Sequence, residues 1–132
     1  MERRHFSLDE AQQMVPWLES KMEELNTSLR LLSRLEEQTS FLTGQLSSNG
    51  GHESGKKLES QRTALKEASE TLKLHINEVI ERGIELKSIE RGLADFPSRR
   101  DGHEVYLCWQ KGESEIRFWH EIDAGFSGRH TL

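Results

Sequence analysis

A stripe of apolar residues at alternating spacings of three and four constrains this chain more than any other feature. Its members are Leu8, Ala11, Val15, Leu18, Met22, Leu25, Leu29 and Leu32. This a/d pattern is typical of a helix that keeps one face against a partner helix. A seven-residue repeat of the same kind follows at Leu58, Leu65, Leu72 and Val79. Two helices joined by one connection are expected to fold back as an antiparallel hairpin.

Local signals place the first helix. Ser7 and Glu10 form a capping-box pattern, in which each residue's side chain accepts a hydrogen bond from the other's backbone amide. This pattern predicts a helix over residues 7–42. Pro16 removes one backbone hydrogen bond inside that helix, so a kink is expected near it.

The later boundaries follow from composition and periodicity. Residues 43–55 are rich in Gly, Ser and Asn and are predicted to form a flexible connection. The second helix is expected over residues 56–82, with Gly83 as its left-handed C-terminal cap. Residues 84–132 change to alternating periodicity and are predicted to form a β element and tail. The whole chain, residues 1–132, is predicted to be a single α+β domain.

The predicted β element is a small antiparallel meander. Asp101-Gly102 is a strong turn signal, and Lys111-Gly112 marks a second turn. The strands beside these turns are expected to pack one apolar face on the helices. That face is predicted to consist of Val105, Leu107, Trp109, Ile116 and Phe118. The preceding stretch, Asp95-Phe96-Pro97, is predicted to be a shaped loop because Pro97 restricts the residue before it.

Composition limits the partners. Only 33% of the 132 residues are hydrophobic, and the helical stripes exceed what a small β element can cover, so a homodimer is predicted. A protein partner is the other expected class. The net charge of −5 without a basic stripe argues against nucleic acid, and no apolar run is long enough for a membrane span. The single cysteine gives no sign of an oxidising compartment, so a cytoplasmic location is expected.

Short motifs occur in order along most of the chain. They are Phe6-Ser7-Leu8-Asp9-Glu10-Ala11, Gly83-Ile84-Glu85-Leu86-Lys87, Gly92-Leu93-Ala94-Asp95-Phe96-Pro97, Arg100-Asp101-Gly102, Leu107-Cys108-Trp109, Gly112-Glu113, Trp119-His120-Glu121, Gly125-Phe126 and Gly128-Arg129. This series closely resembles an uncharacterised bacterial family, domain of unknown function 2203. The resemblance covers nearly everything except the Gly- and Ser-rich connection, and it implies no established activity.

A metal site is one interpretation of the polar residues near the predicted last strand. The candidate ligands are His120, Asp123 and Glu113, with Asp95 and His103 able to approach from neighbouring turns. Mixed nitrogen and oxygen ligands suit Zn, Mn or Fe. The absence of a paired-histidine motif favours the other interpretation, in which His120 packs beside Trp109 and hydrogen-bonds a carboxylate. The cofactor is therefore left unassigned, with a divalent metal as the alternative.

A small-ligand site is a second interpretation of the same region. The candidate residues are Asp95, Arg99, Arg117, Trp119 and Arg129. Arginine side chains can clamp an anion, and Trp119 can supply a flat apolar wall. Such residues mark protein interfaces at least as often, and an ion pair from Asp95 to Arg99 or Arg100 is the structural alternative. Cys108, inside an apolar strand, is typical of an inert buried thiol rather than a nucleophile.

Two functional hypotheses of different class therefore remain open. The first is a non-enzymatic interaction or scaffold module that self-associates through its helices. The second is a small-ligand or metal-binding protein, with or without catalysis, whose site lies at the helix/β junction near His120. No motif decides whether the protein is an enzyme.

Overall fold

The computed structural model describes residues 3–49 and 52–132, with side chains described outside 46–54. Two helices come first, α1 over Leu8–Asn49 and α2 over His52–Glu81. Five strands follow: β1 Glu85–Ser88, β2 Leu93–Arg100, β3 His103–Gln110, β4 Phe118–Glu121 and β5 His130–Thr131, with a short 3-10 helix at Phe126–Gly128 before the last strand. The α+β prediction of two helices followed by an antiparallel sheet is therefore confirmed.

Helix α1 begins where the capping pattern predicts. The Ser7 amide donates to Glu10 Oε1 at 2.9 Å, and the Glu10 amide donates to Ser7 Oγ at 3.1 Å. These two bonds satisfy amide groups that a helix start otherwise leaves without partners. Pro16 lies inside α1, and the kink expected near it stays a prediction.

The two helices extend further into the predicted connection, residues 43–55, than the sequence indicates. Helix α1 continues to Asn49 and α2 already begins at His52, so a connection over 43–49 and 52–55 is wrong, while residues 50–51 lie outside the described part of the chain. Glycine inside a helix costs only about 1 kcal/mol. Pairing along the hairpin offsets that cost, as where Gln61 Nε2 donates to Gln38 Oε1 at 2.9 Å.

The hairpin buries its apolar stripe mainly at the end that carries the sheet. The buried members there include Val15, Leu18, Met22, Leu25, Leu72 and Val79. Farther along α1, Leu29 and Leu32 are only partly buried, and Phe41 is 69% exposed. Neither helix, over its described residues, has a segment both long and apolar enough to cross a membrane. Helix α2 ends with Gly83 at a φ of +85°, as the left-handed cap predicts.

The sheet has the strand order β1-β2-β3-β4-β5, and every neighbouring pair is antiparallel. Strands β2 and β3 are joined by Asp101 and Gly102, with φ values of 50° and 83°. Two residues with positive φ form the tight hairpin turn that suits the natural twist of paired strands. This turn fixes the register, so that Asp95 lies opposite Cys108 and Pro97 opposite Tyr106.

The loop predicted around Asp95-Phe96-Pro97 is wrong, since these residues lie inside β2. Strand β1 pairs with β2 only as far as Asp95. Beyond that point the N-terminal segment covers the strand, because the Phe6 amide donates to the Pro97 carbonyl at 2.7 Å. In an antiparallel sheet, the backbone nitrogen and the carbonyl of one residue point to the same side of the strand. The Pro97 carbonyl points to Phe6 and away from β3, so β3 does not need the N–H that Pro97 lacks.

Alternate residues of the sheet face the helices. The core against α1 includes Ala94, Phe96, Leu107 and Trp109. Phe118 was predicted on this face, but it pairs with Cys108 and therefore lies on the opposite one, while Trp119 lies opposite Leu107. The error arises because Ile116, although buried, precedes β4 and does not share its alternation. Its amide donates instead to Gln12 Oε1 at 2.8 Å.

Candidate functional site

Three chemically reactive side chains from neighbouring strands meet on the face of the sheet that points away from the helices. Asp95 is on β2, Cys108 on β3 and His120 on β4, and their exposed fractions are 3%, 2% and 3%. Asp95 lies directly opposite Cys108, and His120 lies opposite the adjacent Tyr106. The site was predicted at the helix/β junction near His120. His120 instead lies on the far side of the sheet, the face that points away from the helices.

Both ring nitrogens of His120 face oxygen atoms. Nδ1 lies 2.8 Å from the Glu121 carbonyl oxygen, and Nε2 lies 3.0 Å from Asp95 Oδ2. A carbonyl can only accept, so Nδ1 carries a proton and donates to it. The contact between Nε2 and the Asp95 carboxyl then holds one further proton.

Cys108 lies beside this pair as a neutral thiol. Burial, together with the nearby Asp95 charge, raises the pKa of Cys108 to about 12, whereas Arg129 opposes the shift. The ligand-type atoms of Asp95, Cys108 and His120 all lie within 4.8 Å of one another. One oxygen, one sulfur and one nitrogen donor thus converge on a single small volume, a donor set that suits zinc and related transition metals.

A pocket of about 230 Å³ lies over this cluster. The remaining walls come from Lys87, Leu93, Tyr106, Ile122, Ala124, Gly125 and Phe126. Most of these residues are apolar. Residues 122–126, which follow β4, form the part of the wall that lies over the sheet. The cluster is therefore buried in the fold, yet it borders a cavity large enough for a small molecule.

A second ion pair anchors the C-terminal segment beside the pocket. Arg129 donates through one terminal nitrogen to both carboxylate oxygens of Glu113, at 2.9 and 2.8 Å. The same guanidinium stacks on the Phe118 and Phe126 rings, with distances of 3.8 and 4.5 Å to their centroids. Glu113 was predicted as a metal ligand, but its carboxylate is engaged by Arg129 and by the Gln110 amide.

Tyr106 closes another side of the site. Its ring centroid lies 5.4 Å from that of His120, and its hydroxyl donates to Glu85 at 2.9 Å. Arg3 binds the same hydroxyl and also pairs with Glu85 and Glu104. This network at the rim holds the phenol ring against the imidazole.

The other predicted site residues lie outside the pocket. They are Arg99, Arg117, Trp119, Asp123 and His103. Trp119 lies on the helix-facing side, where it contacts Arg100 and His130 at 4.6 and 4.7 Å. The ion pair predicted from Asp95 to Arg99 or Arg100 is replaced by the bond from Asp95 to His120. Among the predicted candidates, the fold thus brings Asp95 into direct contact with His120, and Glu113 into contact with Arg129 beside them.

Cys108 is the residue that the sequence analysis did not assign to a metal site. A usable signal was present, because a two-residue turn at Asp101-Gly102 pairs residues at equal distances on either side. Counting outward from this turn places Cys108 opposite Asp95. The interpretation of Asp95-Phe96-Pro97 as a loop concealed that pairing.

Comparison with protein families identifies the chain. The family model of an uncharacterized conserved protein, DUF2203, matches residues 4–132. The chain belongs to this family. The resemblance predicted from the short motifs is therefore confirmed, and the match to DUF2203 includes all three residues of the cluster. No curated protein and no solved structure matches the chain.

Proposed function

We propose that this protein binds a divalent transition metal ion, most suitably zinc, through Asp95, Cys108 and His120. The observation that carries the proposal is the convergence of their donor atoms within 4.8 Å. Zinc binds such donors at about 2.0–2.3 Å, so donors around one ion lie about 3.5 Å apart. The observed separations, all within 4.8 Å, are close to that spacing.

The surroundings of His120 support the same proposal. A histidine that ligates a metal usually donates its other ring N–H to a carbonyl or carboxylate, which fixes the ring. The Nδ1 contact with the Glu121 carbonyl at 2.8 Å supplies that bond. Nε2 then faces Asp95 and is the nitrogen that would receive the ion.

Metal binding at this site is coupled to proton release. The Cys108 thiol, with its pKa raised to about 12, is protonated in the absence of metal, and the ion must displace that proton. Affinity therefore rises with pH. A reducing compartment such as the cytoplasm, which the single cysteine predicts, would keep the thiol available.

The test is metal analysis of the purified full-length chain. We expect one equivalent of zinc by elemental analysis, and about a hundredfold weaker binding in Cys108→Ser and His120→Gln by competition with a chromogenic chelator. His103→Ala is the matched control, because His103 is an exposed histidine that pairs with Glu121 at 3.4 Å outside the cluster. Circular dichroism shows whether each variant folds.

Cobalt substitution provides a direct signature of the sulfur ligand. A Co(II)-loaded chain is expected to show a thiolate charge-transfer band that Cys108→Ser removes and His103→Ala keeps. A folded wild-type chain without stoichiometric metal would overturn the proposal. So would an equal loss of affinity in the His103 variant.

We also propose that the protein self-associates, in coiled-coil fashion, through the far end of the helical hairpin. Exposed apolar side chains along this part of α1 support this second function: Leu31 is 44% and Phe41 69% exposed. Phe41→Glu is expected to shift a dimer to monomer in sedimentation velocity, while Ser40→Glu, at an exposed polar position beside it, leaves the dimer intact. A wild-type chain that is monomeric at micromolar concentration would remove this proposal.

A further inference from the structure

The pocket over the metal cluster combines one polar wall with several apolar ones. Leu93, Ile122 and Phe126 line it together with the three residues of the cluster. Its volume of about 230 Å³ exceeds the roughly 150 Å³ of a cavity that accepts benzene. The pocket therefore has room for a ring-sized apolar group and for a polar group that reaches the cluster.

The coordination of the proposed ion is incomplete without such a group. Zinc takes four ligands, and sites with three protein ligands keep the fourth position for water or another molecule. Within residues 3–49 and 52–132, the cluster contains three side chains of the types His, Cys, Asp and Glu. All three border the pocket, so the fourth position opens toward it.

Charge selects the kind of ligand. Apart from the cluster, Lys87 is the one side chain with a formal charge among the described residues that line the pocket. Its ammonium group lies 2.9 Å from Glu85 Oε1 at the rim, and its side chain is 40% exposed. Once Asp95 and the Cys108 thiolate neutralise a divalent ion, the lining formed by the described residues holds no further acid, since Glu85 lies outside it at the rim. The lysine that pairs with Glu85 then favours an anion.

We infer that the pocket binds a small carboxylate with an apolar body, whose carboxylate takes the open position on the metal and whose body packs on Leu93, Ile122 and Phe126. This inference rests on the proposed function and names the ligand class of the same site. It concerns binding and requires no chemical step.

Benzoate is a suitable probe because its ring fits the pocket and its charge suits the open position. In the Co(II)-loaded full chain, millimolar benzoate is expected to change the visible d–d bands in a saturable way. Benzyl alcohol and benzylammonium, which have the ring without the negative charge, are expected to leave those bands unchanged. Lys87→Met is expected to weaken benzoate binding severalfold while the metal remains bound.

Gly125→Leu changes the pocket without changing a metal ligand. A Cβ at Gly125 meets no atom within 4 Å and the residue lines the pocket, so a leucine side chain can occupy it without a clash at the backbone. We expect normal metal content and about tenfold or greater loss of benzoate affinity. Ser127→Leu is the matched control, since Ser127 is exposed and lies outside the pocket lining.

The outcomes separate the two proposals. A chain that takes up no metal overturns the metal function and this inference with it. A chain that binds cobalt through Cys108 but whose spectrum ignores benzoate overturns the inference alone. The inference also fails if benzyl alcohol acts as strongly as benzoate, or if Gly125→Leu binds benzoate as well as Ser127→Leu.

Discussion

The two faces of the sheet are both buried, but they bury opposite kinds of side chain. The helix-facing side carries Ala94, Phe96, Leu107 and Trp109, all in one apolar core. The far side carries Asp95, Cys108 and His120. Apolar burial contributes about 25 cal/mol per Å², whereas a buried ion pair contributes little net stability. The helix-facing side therefore stabilises the fold, and the far side has a composition that folding alone does not require.

The same two strands supply both faces. Ala94 and Asp95 are neighbours in β2, and Leu107 and Cys108 are neighbours in β3. Slipping one strand by a single residue would exchange their faces, burying the carboxylate against the helices. The tight turn at Asp101-Gly102 prevents that slip, so a local turn controls both the core and the site.

The largest expected effect concerns the helix-facing side. Phe96 is fully buried, and its ring meets that of Phe6 edge-on with centroids 5.1 Å apart. Phe96→Ala is expected to lower the free energy of unfolding by about 3–5 kcal/mol, because it removes apolar contacts and leaves a cavity. Urea denaturation measures the loss. A loss below about 1 kcal/mol would contradict the stabilising role of this face.

A smaller effect is expected on the far side. His120→Leu leaves the buried Asp95 carboxyl without its partner and is expected to cost about 1–3 kcal/mol. The double variant Asp95→Leu/His120→Leu removes both polar groups and should regain most of that loss, or exceed wild-type stability. Denaturation of metal-free protein provides the measurement. A double variant less stable than His120→Leu would show that the polar pair itself stabilises the fold.

The helices and the turn that fixes the sheet were predictable because their signals are local. The capping box at Ser7 and Glu10, the left-handed cap at Gly83 and the turn at Asp101-Gly102 each depend on residues close in sequence. The length of α1 was underestimated, since composition alone cannot show that a helix paired with a second one continues through Gly44. Tertiary pairing decided the helix ends.

The candidate site was predictable only in part. Asp95 and His120 were recognised by residue type, but their contact depends on β2 being a strand despite Pro97. That strand pairs with β3 along its length, and the N-terminal segment binds its other edge at Pro97, a contact between residues about ninety positions apart. No local pattern encodes such a contact. The turn at Asp101-Gly102 does place Cys108 opposite Asp95, but only once β2 is taken as a strand.

The third prediction follows from the raised pKa of Cys108. Below pH 9 the thiol is protonated in both states, since its ordinary pKa is 9.0 and its folded value is about 12. Between these values the unfolded chain loses the proton and the folded chain keeps it, so stability falls as pH rises. By pH 10 the metal-free chain should lose about 1 kcal/mol more than Cys108→Ala does over the same range. Parallel denaturation curves at pH 8 and 10 test this difference, and identical losses would contradict a buried thiol.

The smallest expected effect tests where the far-side site ends. Arg117 was a sequence candidate for ligand binding, yet its side chain is 68% exposed and pairs with Glu115, two residues away, at 3.2 Å. An exposed pair of this kind contributes little, so Arg117→Ala should change the free energy of unfolding by less than about 0.5 kcal/mol and leave metal affinity unchanged. Arg129→Ala is the informative counterpart, because the Arg129 side chain is only 12% exposed, pairs with Glu113 and stacks on Phe118 beside the pocket. The contrary result is that Arg117→Ala weakens metal or benzoate binding as much as Arg129→Ala does. The binding surface would then extend past the pocket wall to the solvent-facing turn that carries Arg117. In that case the difference between the two faces of the sheet would no longer locate the site.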